Sequence, residues 1–514
     1  MTERHPHEPD DSFDGGDLDC GNGLLLLIRK HIDPLDPGAL LEILSSESSV
    51  REDLPSWCRR TGNDLVSVVE RSDRVSYLVS KGAFAGAPEL AASAPPPLAR
   101  RGAKEPAPIT QPILEVRIPD ALPAPAPAAP VAPLSVMGVG SWPRPGWLLR
   151  ALHDHLQGRL SDGEFAATAD DAVRLAIAAQ ERAGVDVVTD GEQRRDNYSS
   201  FVGGLLDNCQ LVPITDLLPY VDDPEQFERE LASLDVPAAL VRHPAVFGPL
   251  GRRRSLAAHE VEFSRGVTDR PVKVALPGPY LLTRTMWMEC ISDRAYATRE
   301  DLARDIVRVL REELAHCLAR GAALVQFDEP VLTEVAYGDA GGGGRTFMCG
   351  ALGERQPVGP ELAFARELLE QTLDGYPTER LALHVCRGNW TPDESAALSG
   401  SYEPLLELLS RVPVGTLVLE HCTDRAGDLE LLRRLPDDRR VGVGVVNQKV
   451  AEVPAREALE AQIRRAIDLL GRDRVLLNPD CGFATFADNP IVAAELAERQ
   501  LRAMVEARDR VVAG

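Results

Sequence analysis

The chain has 514 residues, enough for two or three domains, and its 44% hydrophobic and 26% charged content allows a sizeable buried core. Acidic residues number 79 against 56 basic, and the resulting net charge of −23 repels phosphate backbones, which argues against a nucleic-acid partner. The longest apolar run, Leu24 to Ile28, is far short of the ~20 residues of a membrane helix. The amino terminus has no basic start followed by an apolar stretch, and nine dispersed cysteines suit a reducing compartment. The expectation is a cytoplasmic protein without a membrane partner.

In chain order, residues 1–17 read as a disordered acidic head and residues 18–85 as a short α/β domain. Residues 86–133 form an Ala/Pro-rich linker that cannot bury a core, with PILEVRIP as its one strand-like piece. Residues 134–514 form the main body. There, β-like runs (DVVTD, VKVAL, LVQFDEP, LALHVC, TLVLEHC, VGVGVV, VLLNPDC) alternate with amphipathic segments such as LARDIVRVLREELAHCLARG and REALEAQIRRAIDLLG. Such alternation predicts parallel strands with crossover helices. A (β/α)8 TIM barrel fits the count and length best, and a doubly wound open sheet is the runner-up. Nearly every strand candidate ends in Asp, Glu, His, Cys or Asn, at the end where such folds keep their active sites. The glycine run at residues 339–344 reads as a loop.

His384 and Cys386 in LALHVCRG are two residues apart on a predicted strand, so both side chains reach the same face. Glu420 in TLVLEHC and Cys481 in LLNPDCG lie at other strand ends. One nitrogen, two sulfurs and one carboxylate favour zinc over magnesium or calcium. The His-x-Cys pair by itself reads first as a core histidine beside a buried cysteine.

The motifs GVGSWPRP, VTDGEQRRD, KVALPGPYLLT, LVQFDEPVL, LHVCRGN, LVLEHC and LNPDCGFAT follow one another over nearly the whole main body. In content and order they resemble the C-terminal catalytic barrel of cobalamin-independent methionine synthase. The resemblance implies a barrel of the uroporphyrinogen-decarboxylase-like kind, with zinc held by His384, Cys386, Glu420 and Cys481. A free thiol, with a pKa near ~8.5, is mostly protonated at neutral pH, whereas a zinc-bound one is a nucleophilic thiolate. Glu420, as the oxygen ligand, is the natural one to move aside for a substrate thiol. The resemblance further implies that an amino-acid thiol such as homocysteine is gripped by Ser141 at its carboxylate and by Glu192 and Asp328 at its ammonium. The competing role for Asp328 and Glu329 is to cap a helix or pair with an arginine. Trp287 matches a tryptophan near the pteridine site, with ordinary packing as its other reading.

Two departures bear on the methyl donor. No second barrel precedes this one, which places the chain nearer the single-barrel branch, some of whose members take methyl groups from a corrinoid protein. In GVGVVNQKV, Asn447 and Lys449 stand where the full-length family has an aspartate and a histidine that protonates the leaving folate. Lys449 can act as an acid if burial lowers its pKa, but direct use of methyl-folate is put in doubt.

The segments GLLLLIRKHIDPLDPGALLEILSSE, SVREDLPSWCRRTGNDLVSV and RVSYLVSKG resemble the TusA/SirA sulfur-carrier fold, a two-layer β-α-β-α-β-β pattern. Cys20, one residue before the expected carrier position and without the usual following proline, is the possible persulfide site, and Cys58 reads as structural. A cysteine desulfurase or sulfur-relay protein is the implied partner; the other reading is a degenerate domain that only docks. The leading expectation for the chain is a zinc-dependent S-methyltransferase for homocysteine or a related thiol. The alternatives are an S-alkyltransferase for another thiol, a transferase receiving persulfide sulfur from the N-terminal domain, and a binding module with an inactive barrel.

Overall fold

The structure is a computed structural model that describes residues 4–18, 23–71, 74–84, 121–156, 158–214, 242–287, 292, 295–337, 357–389, 394, 397–486 and 491–513. Cys20, the PILEVRIP piece and the glycine run at 339–344 lie outside the described residues.

The amino-terminal unit comprises β1 (Asp11–Gly16), α1 (Leu24–Ile32), β2 (Leu40–Ser45), α2 (Val50–Thr61), β3 (Asp64–Glu70) and β4 (Val75–Ser80). Its sheet runs in the order β1-β2-β4-β3, with β1 parallel to β2 and the other pairs antiparallel. Leu24, Leu25 and Ile28 of α1 and Leu54 and Trp57 of α2 pack on Leu41, Ile43, Tyr77 and Val79 of the sheet. Cys58 lies in that core, and burial pushes its thiol up to about 12, in keeping with a structural residue.

One expectation is corrected here. Residues 11–16 were assigned to a disordered head but form a paired edge strand. The acidic DSFDGG carries no apolar alternation, and its charges are offset from other segments: Arg74 bonds Asp14 at 2.6 Å and His31 bonds Asp11 at 2.8 Å.

In the main body, β7 (Lys273–Pro277), β8 (Leu324–Asp328), β9 (Leu381–Val385), β10 (Thr416–Leu419), β11 (Arg440–Val446) and β12 (Val475–Pro479) form a continuous parallel sheet. Parallel bridges Val136 to Leu477, Met137 to Val187 and Val188 to Val272 then carry the pairing from β12 back to β7. The ring closes through these two short additional strand positions, which decides for the (β/α)8 barrel over the open sheet. Its strands are buried on both faces, so they read as apolar runs rather than alternating patterns. Around them lie α3 (Gly146–Leu156), α4 (Asp162–Ala183), α5 (Ala258–Val267), α6 (Pro279–Met286), α7 (Arg299–Ala319), α8 (Val331–Tyr337), α9 (Val358–Leu373), α10 (Leu406–Arg411), α11 (Arg456–Leu470) and α12 (Ala494–Ala513). The two longest, α4 and α7, open on capping boxes, Ser161 with Glu164 and Thr298 with Asp301, which satisfy the first free amides.

Two connections to the barrel were not anticipated. The described end of the expected linker is bound rather than free. Ala126 N donates to Leu318 O at 3.1 Å, while Arg380 and Arg440 donate to the carbonyls of Ala126 and Val131 at 2.8 and 2.7 Å. The antiparallel hairpin of β5 (Asp207–Pro213) and β6 (Arg242–Gly251) carries α1. Leu26 and Leu27 join the barrel's core, Gln210 donates to Arg29 O and to Asp33, and the Lys30 ammonium lies 5.5 Å from the Phe247 ring. No described helix is long and apolar enough to cross a membrane.

Candidate metal centre

Three of the four expected ligands converge. His384 on β9, Cys386 one residue past its end and Cys481 just after β12 are buried, and their ligand atoms all lie within 4.8 Å of one another. The register of β9 against β10 sets His384 beside Val418. His384 Nδ1 bonds the Val418 carbonyl at 2.9 Å, which leaves Nε2 facing Cys481 Sγ at 3.9 Å. The Cys481 thiol donates to Cys386, and with His384 alongside this holds Cys386 well below the usual thiol range despite its burial. Burial opposes a charge on His384, yet Cys386 and Asp328 lift it to about 9. The pocket thus favours one thiolate paired with the His384 imidazolium, and a metal cation supplies what is needed to ionise both sulfurs. Two thiols and an imidazole with its second nitrogen anchored fit zinc.

Glu420 does not join this group. It is fully buried just after β10, and both its oxygens are engaged elsewhere: Oε1 accepts from Arg387 Nη1 at 3.0 Å and Oε2 from Asn389 Nδ2.

Ser141, Glu192 and Asp328 line the same cavity as His384, Cys386 and Cys481. Ser141 Oγ accepts from Ala484 N at 3.2 Å, and the chain at Gly482 passes so close that a Cβ there would sit 2.2 Å from that oxygen. Glu192 has a left-handed backbone (φ 55°), an Oε2 with no hydrogen-bond partner, and a carboxyl pushed up to about 7 by burial. Asp328, also raised by burial, accepts from Gln326 Nε2 at 2.7 Å. The helix-capping role falls to its neighbour: Glu329 accepts from the first amides of α6, Tyr280 N at 2.8 Å and Leu281 N at 2.9 Å.

The remaining expected residues lie apart. Trp287, just after α6, packs against the hydrophobic core and is not among the described residues lining the cavity. Asn447 and Lys449 are likewise not among them. Asn447 Nδ2 donates to Glu394 at 2.6 Å, and Lys449 Nζ lies buried 4.0 Å from the same carboxylate with its pKa lowered by burial.

The chain matches the family model described as "Cobalamin-independent synthase, Catalytic domain" over residues 134–216, 228–339 and 383–509, well over half of its length. The chain belongs to that family. Residues 23–81 match a second model, sulfurtransferase TusA. A Saccharolobus solfataricus protein named methionine synthase is 24% identical over 379 residues, covering 73% of this chain and 94% of that one. A Sulfurisphaera tokodaii protein of the same name is 24% identical over 362 residues, covering 69% and 86%. Among solved structures, the B12-independent methionine synthase from Shewanella sp. W3-18-1 has a TM-score of 0.55 at 23% identity, over 74% of this chain and 98% of that one. The putative B12-independent methionine synthase from Listeria monocytogenes has a TM-score of 0.54 at 18% identity, over 74% and 99%. These two structural likenesses bear on the fold.

Within this cobalamin-independent synthase barrel, sequence reasoning missed the residues that hold the site residues in place. Lys273 donates to Gln326 Oε1 at 2.9 Å and to Gly138 O, behind Asp328. Its signal was a lysine inside the apolar run VKVAL. Arg387 and Asn389 were quoted in LHVCRGN but given no task. Arg195, buried against Glu260 at 2.5 Å and 3.9 Å from Glu192, sits in VTDGEQRRD without any local sign of its partners.

Proposed function

We propose that this chain is a zinc-dependent S-methyltransferase acting on homocysteine or a closely related amino-acid thiol. The observation that carries the proposal is one cavity lined at once by His384, Cys386 and Cys481 and by Ser141, Glu192 and Asp328. Soft donors and carboxylates facing one space suit a ligand with a thiol at one end and an ammonium at the other. His384, Cys386 and Cys481 would hold the zinc, which when bound keeps a substrate thiol as a soft thiolate at neutral pH. The free Glu192 oxygen and Asp328 bind the ammonium, and the Ser141 hydroxyl has its proton available for the carboxylate. Together they orient the acceptor sulfur, and burial of the pocket keeps water from it.

The methyl donor we infer is a methylated corrinoid rather than methyl-folate, because Lys449, in the place of the family's histidine, is not among the described residues lining the cavity. Metal analysis of the purified protein, followed by assays of homocysteine with methylcobalamin and methyl-tetrahydrofolate separately, tests the proposal. Failure of both donors with metal present would shift weight to alkylation of another thiol or to a barrel without turnover.

A second reading is favoured by the TusA match over residues 23–81: the amino-terminal unit carries sulfur as a persulfide on Cys20 and delivers it to the barrel. Incubation with a cysteine desulfurase and labelled cysteine should load Cys20. Equal labelling of Cys20→Ala removes that residue as the carrier, and no labelling favours a docking role.

A further inference from the structure

Three stretches of chain bring their residues to the cavity. Ser141 follows the short strand position at Val136 and Met137, Glu192 follows the one at Val187 and Val188, and Cys481 follows β12. One buried side chain joins all three. Arg144, three residues after Ser141, donates from Nη2 to the carbonyls of Glu192 at 2.7 Å and Arg195 at 2.8 Å, and from Nη1 to the carbonyl of Ala484 at 3.3 Å. Trp142 anchors the same stretch: its backbone N–H donates to Gly191 O at 3.0 Å, and its ring meets that of Phe483 edge-on at 5.6 Å.

The turn that Arg144 grips is one that needs holding. Gly191 and Glu192 both have left-handed backbone, with φ 72° and 55°. Outside glycine that conformation is strained and persists where neighbours fix it. The Glu192 carbonyl accepts from Arg195 N at 3.1 Å, which closes the turn, and Arg144 bonds the carbonyls at both of its ends. The Glu192 side chain then passes over Gly140, where a Cβ would stand 2.3 Å from Oε1, and lines the cavity. A planar guanidinium can satisfy several carbonyls at once, whereas a lysine ammonium is a single point donor on a flexible stem.

We propose that Arg144 is a positioning residue of the acceptor site: it fixes the left-handed turn from Glu192 to Arg195, so that the Glu192 carboxylate faces the place where an ammonium binds. The inference rests on the ammonium reading of Glu192 given above and adds to it what keeps that carboxylate in place.

Calorimetric titration of the full-length protein with methionine tests this, together with its zinc content. Arg144→Met should weaken methionine binding by on the order of 10-fold, with zinc content unchanged. Arg144→Lys should fall between wild type and Arg144→Met, and it serves as the readout if Arg144→Met does not fold. Added to Glu192→Gln, the Arg144 change should cost less than about twofold more, because the carboxylate it positions is already gone. Wild-type affinity in Arg144→Met, or in Arg144→Lys where the former does not fold, overturns the proposal and leaves the ammonium reading intact. So do losses that simply multiply in the double variant, or zinc lost along with affinity. A wild-type protein that binds methionine no better than Glu192→Gln removes the proposal and the ammonium reading together.

Discussion

His384 donates its Nδ1 proton to the carbonyl oxygen of Val418, 2.9 Å away on the adjacent strand. The bond leaves Nε2, on the side of Cys481, as the nitrogen that gives up its proton and offers its lone pair when a metal binds. Because Val418 and His384 are register partners, the ligand geometry is built into the barrel itself. The protein should purify with about one zinc per chain. Cys386→Ser and Cys481→Ser should each lower that content at least ~10-fold at equal chelator concentration. Elemental analysis that finds no zinc in fresh protein, and no uptake on addition, would remove the central claim.

Glu192 gives a pH dependence with a definite sign. Its carboxyl is pushed up to about 7, chiefly by burial, and only the ionised form pairs with an ammonium. Affinity for an amino-acid ligand should therefore rise as pH increases through about 7 and level off above it. Methionine is the suitable probe, since it carries no titrating thiol. Calorimetry between about pH 6 and pH 8 should show tightening, and Glu192→Gln should weaken binding by ~10-fold and flatten the profile. A wild-type affinity that does not vary with pH would exclude Glu192 from ammonium binding.

The chain of side chains Lys273, Gln326, Asp328 gives a third expectation. Lys273 fixes Gln326 Oε1 at 2.9 Å, and this turns the Gln326 amide toward Asp328 at 2.7 Å. Burial brings Lys273 down to about 7, so the support is a buried hydrogen-bond network. Gln326→Leu and Lys273→Met should each raise KM for the thiol by ~10-fold with a smaller change in kcat, the pattern of lost binding common to ground and transition states. An effect confined to kcat would assign the network to the chemical step instead.

Much of the barrel was legible because strands buried on both faces appear as apolar runs with polar ends. What escaped were elements whose sequence lacks that mark. The strand position at Val136 and Met137 has only two paired residues, directly after the Ala/Pro-rich stretch. The β5–β6 pair contains prolines at 213, 244 and 249, which argue against a strand until the fold puts them in a two-stranded sheet, where both strands are edges. β1 is acidic and is stabilised by Arg74 and His31 from distant segments. The site divides in the same way. His384 and Cys386 announce themselves by spacing along one strand, and the structure adds Cys481 to them. Glu420 accepts from Arg387, whose other partners Tyr402, Gly400 and Ala426 come from chain segments that no local pattern connects to it.

The last prediction separates the two methyl donors. A folate amine leaves poorly without a proton, and general-acid help is typically worth ~10²–10⁴-fold. A corrinoid departs as cob(I)alamin and needs none. Lys449, in the place of the family's histidine, lies 4.0 Å from Glu394, and Asn447 bonds that same carboxylate at 2.6 Å. Neither is among the described residues lining the cavity that holds His384, Cys386 and Cys481. An acid that does not line the cavity is poorly placed to protonate a folate, so methylcobalamin or a methylated corrinoid protein should support faster thiol methylation than methyl-tetrahydrofolate. Initial rates with each donor at saturating homocysteine, with and without zinc chelation, measure the difference. Lys449→Ala should leave the corrinoid rate within about twofold of wild type, because no proton is required there. Fast methyl-folate turnover that collapses in Lys449→Ala would overturn the donor assignment and make Lys449 the acid.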